Sequence, residues 1–251
     1  SWQDYHPQND ANEVKMKTIK ETDRILVLTG AGISAESGIR TFRASDGLWE
    51  EHRVEDVASP QGFARDPLLV WRFYKERYKQ ALSVEPNPAH YALKKMEDAL
   101  GDRFWLVTQN VDGLHTRAGN KNVIEMHGTL NTAWCTHCSK RFPTEEINLE
   151  ADLPPCPNCG KMLRPDIVWF GEIPYQLDRI QSLLDRTTVL IVIGTSGNVY
   201  PAAGFVMQAR YLGARTLSVN LDAPENKGFF NEFYQGKAGE ILPRLVDEWL
   251  K

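Results

Sequence analysis

Four thiols in two close pairs and a glycine-rich turn are the reactive or ligand-binding groups that stand out in this chain. Cys135-x2-Cys138 and Cys156-x2-Cys159 are separated by 17 residues. That is the spacing of a four-thiolate zinc site. Four ligands close the coordination sphere, so the metal would be structural and not a Lewis acid. Four free cysteines that happen to pair are the competing reading. The second candidate is Gly30-Ala31-Gly32, followed by Ser34 and by Arg40-Thr41-Phe42-Arg43. Small residues there let a backbone approach a ligand, and a helix start at Ser34 would offer free N–H groups to a pyrophosphate. Gly30 and Gly32 fit G-x-G, but the third position falls on Ala35. No Lys-Ser or Lys-Thr follows, which argues against a nucleoside-triphosphate loop. The aromatic and two guanidinium groups beside the turn suit a nucleotide with a flat base. An ordinary tight turn is the alternative.

These groups need a frame, and the apolar runs supply one. Short continuous runs predict strands at 25–28, 104–108, 123–126, 189–193 and 216–219, with further strand character at 166–172. Helical spacing predicts helices at 67–82, 90–100, 177–184, 205–212 and 241–250, with 46–67 rich in turns. Strands alternate with helices, and their apolar runs do not alternate with polar residues. That pattern means an α/β chain with a parallel sheet covered on both faces. Four strands run into polar or glycine tips at Gly30, Gln109, Gly194 and Asn220. In a parallel sheet such carboxyl ends lie on one side, where ligands bind at the switch in strand order.

The chain has 251 residues, 42% of them hydrophobic, enough for one large core or one core plus a satellite module. Its net charge of -4, with both signs interspersed, gives no footprint for nucleic acid and no basic membrane anchor. No apolar run reaches the roughly 18 residues of a membrane span. Residues 1–20 are polar and lack the apolar centre of a signal peptide. A cytoplasmic monomer is therefore expected, with a mitochondrial location open if a leader was removed.

In chain order, residues 29–43, Thr108-Gln109-Asn110-Val111-Asp112-Gly113-Leu114-His115, His127-Gly128, the four cysteines, Gly194-Thr195-Ser196 and Asn220-Leu221-Asp222 resemble the sirtuins. These are NAD-dependent protein-lysine deacylases. The likeness runs from about Arg24 to the C-terminus. Within the family the chain looks like the bacterial and mitochondrial class that removes acidic acyl groups. The resemblance implies an N-terminal extension at 1–20 and a catalytic domain at 21–251. That domain would be a Rossmann-like sheet with helices on both faces. A small domain would be inserted in it at about 42–85 and 130–165, the latter the zinc ribbon.

Carried over residue by residue, Gly30, Ala31, Gly32 and Ser34 would cradle the pyrophosphate, with Phe42 and Arg43 on a cofactor-binding loop. Gln109, Asn110 and Asp112 would line the nicotinamide and ribose pocket. Gly194, Thr195, Ser196, Asn220 and Leu221 would hold the adenosine half, with a backbone contact at Ala238. His127 would be the general base, aided by Asn110, and its residue type suits proton transfer near neutral pH. His115 reads as structural. Trp169, Phe170, Gly171, Val199 and Tyr200 would border an acyl-lysine peptide bound as an added strand; the two aromatics could equally be core. Tyr74 and Arg77 coincide with the Tyr-x-x-Arg pair of the acidic-acyl sirtuins, and Ala58 with a small residue that widens the acyl pocket. A guanidinium matches a carboxylate two-pronged, whereas the plain alternative is a solvated helix face.

The products expected are nicotinamide, O-acyl-ADP-ribose and free lysine, from succinyl-, malonyl- and acetyl-lysine. A mono-ADP-ribosyltransferase would share the NAD motifs and be told apart by its products. A non-catalytic NAD-sensing or nucleic-acid-binding module is the other alternative, and the intact His127 and acidic charge argue against it.

Overall fold

The computed structural model describes residues 15–40, 47–197, 200–225 and 227–251. β1 (Ile25–Thr29) leads into α1 (Ala31–Ala35), then the short strands β2 (Leu48–Trp49) and β3 (His52–Arg53). The helices α2 (Val54–Val57), α3 (Pro60–Arg65), α4 (Pro67–Ser83) and α5 (Pro88–Leu100) follow. Next come β4 (Phe104–Thr108), α6 (Leu114–Ala118) and β5 (Val123–Glu125). β6 (Gly128–Cys135), β7 (Arg141–Pro143) and β8 (Leu163–Ile167) make their own antiparallel sheet in the order β7-β6-β8. The chain returns through α7 (Leu177–Arg186), β9 (Val189–Ile193), α8 (Ala202–Tyr211), β10 (Arg215–Asn220), β11 (Glu232–Gln235) and α9 (Ala238–Trp249).

The main sheet is parallel throughout, in the order β11-β10-β9-β1-β4-β5. From β1 the chain moves to β4 and β5 on one side and comes back to β9 on the other. The order therefore reverses at β1, and the tips of β1 and β9 flank the crevice where such sheets bind ligands. Ile25, Val27, Leu106 and Ile191 face α5 and α9, through Leu93, Met96, Leu242 and Val246. Leu26, Leu28, Val107 and Val192 face α7 and α8, through Ile180, Leu184, Phe205 and Val206. Both faces are buried, which is why these strands read as unbroken apolar runs.

Two smaller clusters lie beside this core. Val57, Val70, Phe73, Tyr74 and Trp169 form one; Trp71, Ala133, Leu163 and two of the cysteines form the other. α4 serves both. Asp66 caps it by accepting from Leu69 N–H (3.1 Å), and Pro67 occupies the first turn, where a missing N–H costs nothing. Consecutive residues of α4 point different ways, so Trp71 donates from Nε1 to the Leu163 carbonyl (2.9 Å) while Phe73 and Tyr74 fill the neighbouring cluster.

Three expectations change. The strand expected at 166–172 is instead β8, ending at Ile167 and paired to β6. The residues after it turn at Gly171 (φ 87°), and Glu172 accepts from Trp169 N–H (2.9 Å), so the apolar stretch becomes a loop. The turn-rich region holds two short helices, α2 and α3. The helix expected to start at Ser34 starts at Ala31, because Gly30 already satisfies Ile33 N–H (3.2 Å) and caps the turn.

Candidate active site

A cavity of about 500 Å³ opens at the carboxyl ends of the strands. From the main sheet it is lined by Ala31, Ser34, Gln109, Asn110, Asp112 and His127, and from the smaller lobe by Ala58, Arg77, Trp169, Phe170 and Gly171, with Tyr200 at the rim. Gly30 and Gly32 lie beneath it. A Cβ on Gly32 would come within 2.7 Å of Gly194 Cα, and one on Gly30 within 2.6 Å of Thr195 Cβ. These glycines are thus required by the packing of the β1 tip against the β9 tip. Gly32 N–H donates to the Gly194 carbonyl (2.8 Å), and Gly194 N–H to Val219 (3.0 Å), which fixes three strand ends together.

His127 follows β5 at the cavity wall, and its Nδ1 lies 3.2 Å from the Gln109 carbonyl. A carbonyl only accepts, so Nδ1 carries the proton and Nε2 holds the lone pair. Burial lowers the His127 pKa below its ordinary value, and the Gln109 bond offsets this in part. Asn110 is held from three sides. Its N–H donates to Thr108 Oγ1 (3.0 Å), and its Nδ2 donates to the Gly30 carbonyl (3.0 Å) and to Ser34 Oγ (3.3 Å). Thr108 Oγ1 accepts from Thr29 (2.8 Å), so Thr29 must accept from His115 Nε2 (2.8 Å). His115 is buried in this network and does not line the cavity. Asp112 accepts from Leu114 N–H (3.0 Å) and from Ser34, and burial raises its carboxyl pKa.

On the opposite wall, Trp169 is both core and lining: it is buried, and its Nε1 donates to Tyr74 Oη (2.9 Å). Tyr74 is buried behind it and does not line the cavity, and desolvation pushes its phenol far up. Arg77 does line it. Its side chain is 12% exposed, and its Nε has no hydrogen-bond partner among the described residues. The solvated helix face therefore does not describe this pair. Phe170 N–H donates to the Ala58 carbonyl (3.0 Å), while its ring is exposed, as is that of Tyr200.

The cysteines converge. Cys135 Sγ lies 3.5 Å from Cys159 Sγ and Cys138 Sγ 3.7 Å from Cys156 Sγ, and all four sulfurs lie within 4.8 Å of one another. Sulfurs bound tetrahedrally at about 2.3 Å would stand about 3.8 Å apart, so the donor set fits zinc. Each pair sits in the same kind of turn. Ser139 N–H donates to Cys135 O, Gly160 N–H donates to Cys156 O, and both residues take positive φ, 65° and 77°.

Other expected residues lie away from the cavity. Asn220 and Leu221 follow the tip of β10, with Leu221 exposed. Ser196 follows β9 beside Thr195. Ala238 is buried at the start of α9, where Gly239 N–H donates to Glu36 (3.1 Å). Phe42, Arg43 and Val199 fall outside the described residues. Sequence reasoning missed Glu50 and Arg164. Arg164 stacks 3.7 Å over Trp169 and grips Glu172 with two bonds (2.8 and 3.0 Å), holding the 168–172 loop; no local pattern pairs these residues.

Comparison with known proteins agrees with this geometry. The Sir2 family model matches residues 30–201. A protein of Salmonella typhimurium named NAD-dependent protein deacylase is 52% identical over 233 residues, covering 92% of this chain and 85% of that protein. The solved structure of a Sir2 homolog–NAD complex superposes with a TM-score of 0.82 at 42% identity, over 90% of each chain. A Sir2–p53 peptide–NAD+ structure gives a TM-score of 0.78 at 35% identity, over 90% of this chain and 92% of that one. A parallel sheet with its switch at β1, a four-cysteine cluster and a histidine at the cavity wall recur here in one chain with that sequence match, and the chain belongs to the Sir2 family.

Proposed function

We propose that this chain, an NAD-dependent protein deacylase of the Sir2 family, removes succinyl and malonyl groups as well as acetyl groups from protein lysines. NAD, when bound, would supply a ribose carbon whose bond to nicotinamide breaks as a bond to the acyl oxygen forms, with ribose hydroxyls beside it. Gln109 Nε2 is buried at the cavity without a partner among the described residues, which suits an incoming polar group of that co-substrate. Asn110 and Asp112 line the same wall and are fixed by the Thr29–Thr108–Ser34 network. His127 Nε2 takes the proton from a ribose hydroxyl, since Nδ1 is already committed to Gln109. The lysine peptide passes between Gly171 and Tyr200, and the products are free lysine, nicotinamide and O-acyl-ADP-ribose. The zinc site is structural.

The observation that carries the acyl preference is Arg77, a guanidinium at the cavity wall with an unused Nε donor. An acyl chain ending in a carboxylate satisfies it; an acetyl group does not, yet still fits beside the small Ala58. Tyr74, behind the cavity wall, accepts from Trp169 Nε1 and holds that ring in place, so Arg77 alone of the pair faces the cavity. The test is a panel of acyl-lysine peptides incubated with NAD and read by mass. Arg77→Met should cut succinyl- and malonyl-lysine turnover by about tenfold or more, because an unmatched polar group in a dry pocket costs that much. Acetyl-lysine turnover should change far less. Equal falls would make Arg77 structural.

A further inference from the structure

We propose that Glu50 is a specificity-determining residue: an internal counter-ion that Arg77 exchanges for the carboxylate of an acidic acyl group. This rests on the acidic-acyl reading of Arg77. Glu50 sits at the tip of the β2–β3 hairpin, its side chain 11% exposed. Its Oε2 lies 3.7 Å from Arg77 Nη1 and 3.4 Å from Arg40 Nη1. Both guanidinium groups line the cavity; Glu50 lies behind them. The other carboxylate near Arg77, on Glu76, is 77% exposed and worth little there.

The Glu50–Arg77 pair is poorly satisfied. Neither of its contacts is as close as a good charge-assisted bond. Glu50 Oε1 and Arg77 Nε are both buried without hydrogen-bond partners among the described residues. The turn that presents Glu50 is strained as well. Glu50 and Glu51 form its two-residue tip at φ 49° and 66°, where Asn-Gly is the favoured choice. Non-glycine residues held there are strained, and such residues are concentrated at functional sites. An acyl carboxylate entering the cavity can engage Arg77 two-pronged. Through the exchange Glu50 keeps its 3.4 Å contact with Arg40, a side chain that is 75% exposed and so a weaker counter-ion than Arg77. When the acyl group is neutral, Glu50 stays on Arg77 and compensates its charge. One pocket thereby takes both kinds of acyl group.

Glu50→Gln keeps the shape and removes the charge. The ratio of kcat/KM for a succinyl-lysine peptide to that for the matching acetyl-lysine peptide should rise about tenfold, because Arg77 no longer has a competitor to displace. Succinyl-peptide affinity measured by calorimetry should rise in parallel. In an Arg77→Met background the same substitution should leave the ratio unmoved. Glu50→Gly, suited to the positive φ, is the second variant should Glu50→Gln fold poorly. A residue that merely held Arg77 in place would lower the ratio on removal. An unchanged or lowered ratio, with Arg77→Met still selective against succinyl-lysine, overturns the counter-ion role alone. If Arg77→Met leaves acyl preference untouched in the otherwise natural chain, the acidic-acyl reading fails and this inference with it.

Discussion

The proton on His127 is placed by a backbone carbonyl. Gln109 O fixes it on Nδ1, so only Nε2 can act as a base, and only in the neutral ring. Burial lowers the pKa of that ring. Activity therefore needs pH above a depressed value, and the acid limb of kcat/KM for an acetyl-lysine peptide should lie below the ordinary histidine value of 6.5. A limb above that value would contradict the assignment. His127→Ala should remove turnover while leaving the fold intact. A second histidine pair concerns stability. The rings of His90 and His115 lie 5.0 Å apart, tilted at 59°, and burial holds them neutral, with pKa values lowered to about 4 and about 3. Both folded values lie below the ordinary one, so the unfolded chain binds protons first as pH falls. The stability they confer is complete above about pH 6.5 and is lost as pH drops through those folded values. The urea midpoint should fall between about pH 7 and about pH 5, and a flat midpoint would count against the neutral pair.

At the scale of elements, the tips of β1 and β9 act as one unit. Gly32 and Gly194 touch backbone to backbone, and Gly194 takes φ 70°. Gly32→Ala forces 2.7 Å against Gly194 Cα, which only a backbone shift can relieve. The variant should lose about 1–3 kcal/mol of stability, the usual cost of overpacking, and bind NAD more weakly. Urea unfolding and NAD titration would measure the two losses. The 168–172 loop is a different kind of element, held by side chains and single backbone bonds and not by a strand ladder. Arg164 reaches Glu172 and Trp169 from β8, so the small antiparallel sheet sets one wall of the cavity.

Across the whole molecule, α4 ties the cysteine cluster to the Arg77 side of the cavity. Trp71 packs with Cys135 and Cys156, while Tyr74 and Arg77, one turn further on, face the other cluster and the cavity. Metal analysis should find about one zinc per chain. Chelation, or Cys135→Ser, should lower thermal stability and impair succinyl-lysine turnover together, because loosening the cluster frees one side of α4. A metal-free protein with unchanged melting temperature would refute the structural zinc.

Elements whose apolar runs are dictated by burial on both faces could be read from the residues alone. The strands expected at 104–108 and 189–193 are those observed, and Gly30, Gln109, Gly194 and Asn220 do stand at or just past strand ends. The cysteine spacing was equally legible, because a tetrahedral site demands two close pairs and leaves the distance between them free. Edges and loops were not legible. β11 pairs on one side only and carries Glu232, so its four residues show no apolar run. Residues 168–172 look like a strand until Arg164 captures Glu172. Arg77 was visible as a residue type at helical spacing, but its place at the cavity wall depends on how α4 packs. Glu50 was invisible. Its meeting with Arg40 and Arg77 joins three segments, and which charges are brought together and shielded from water depends on how those segments pack.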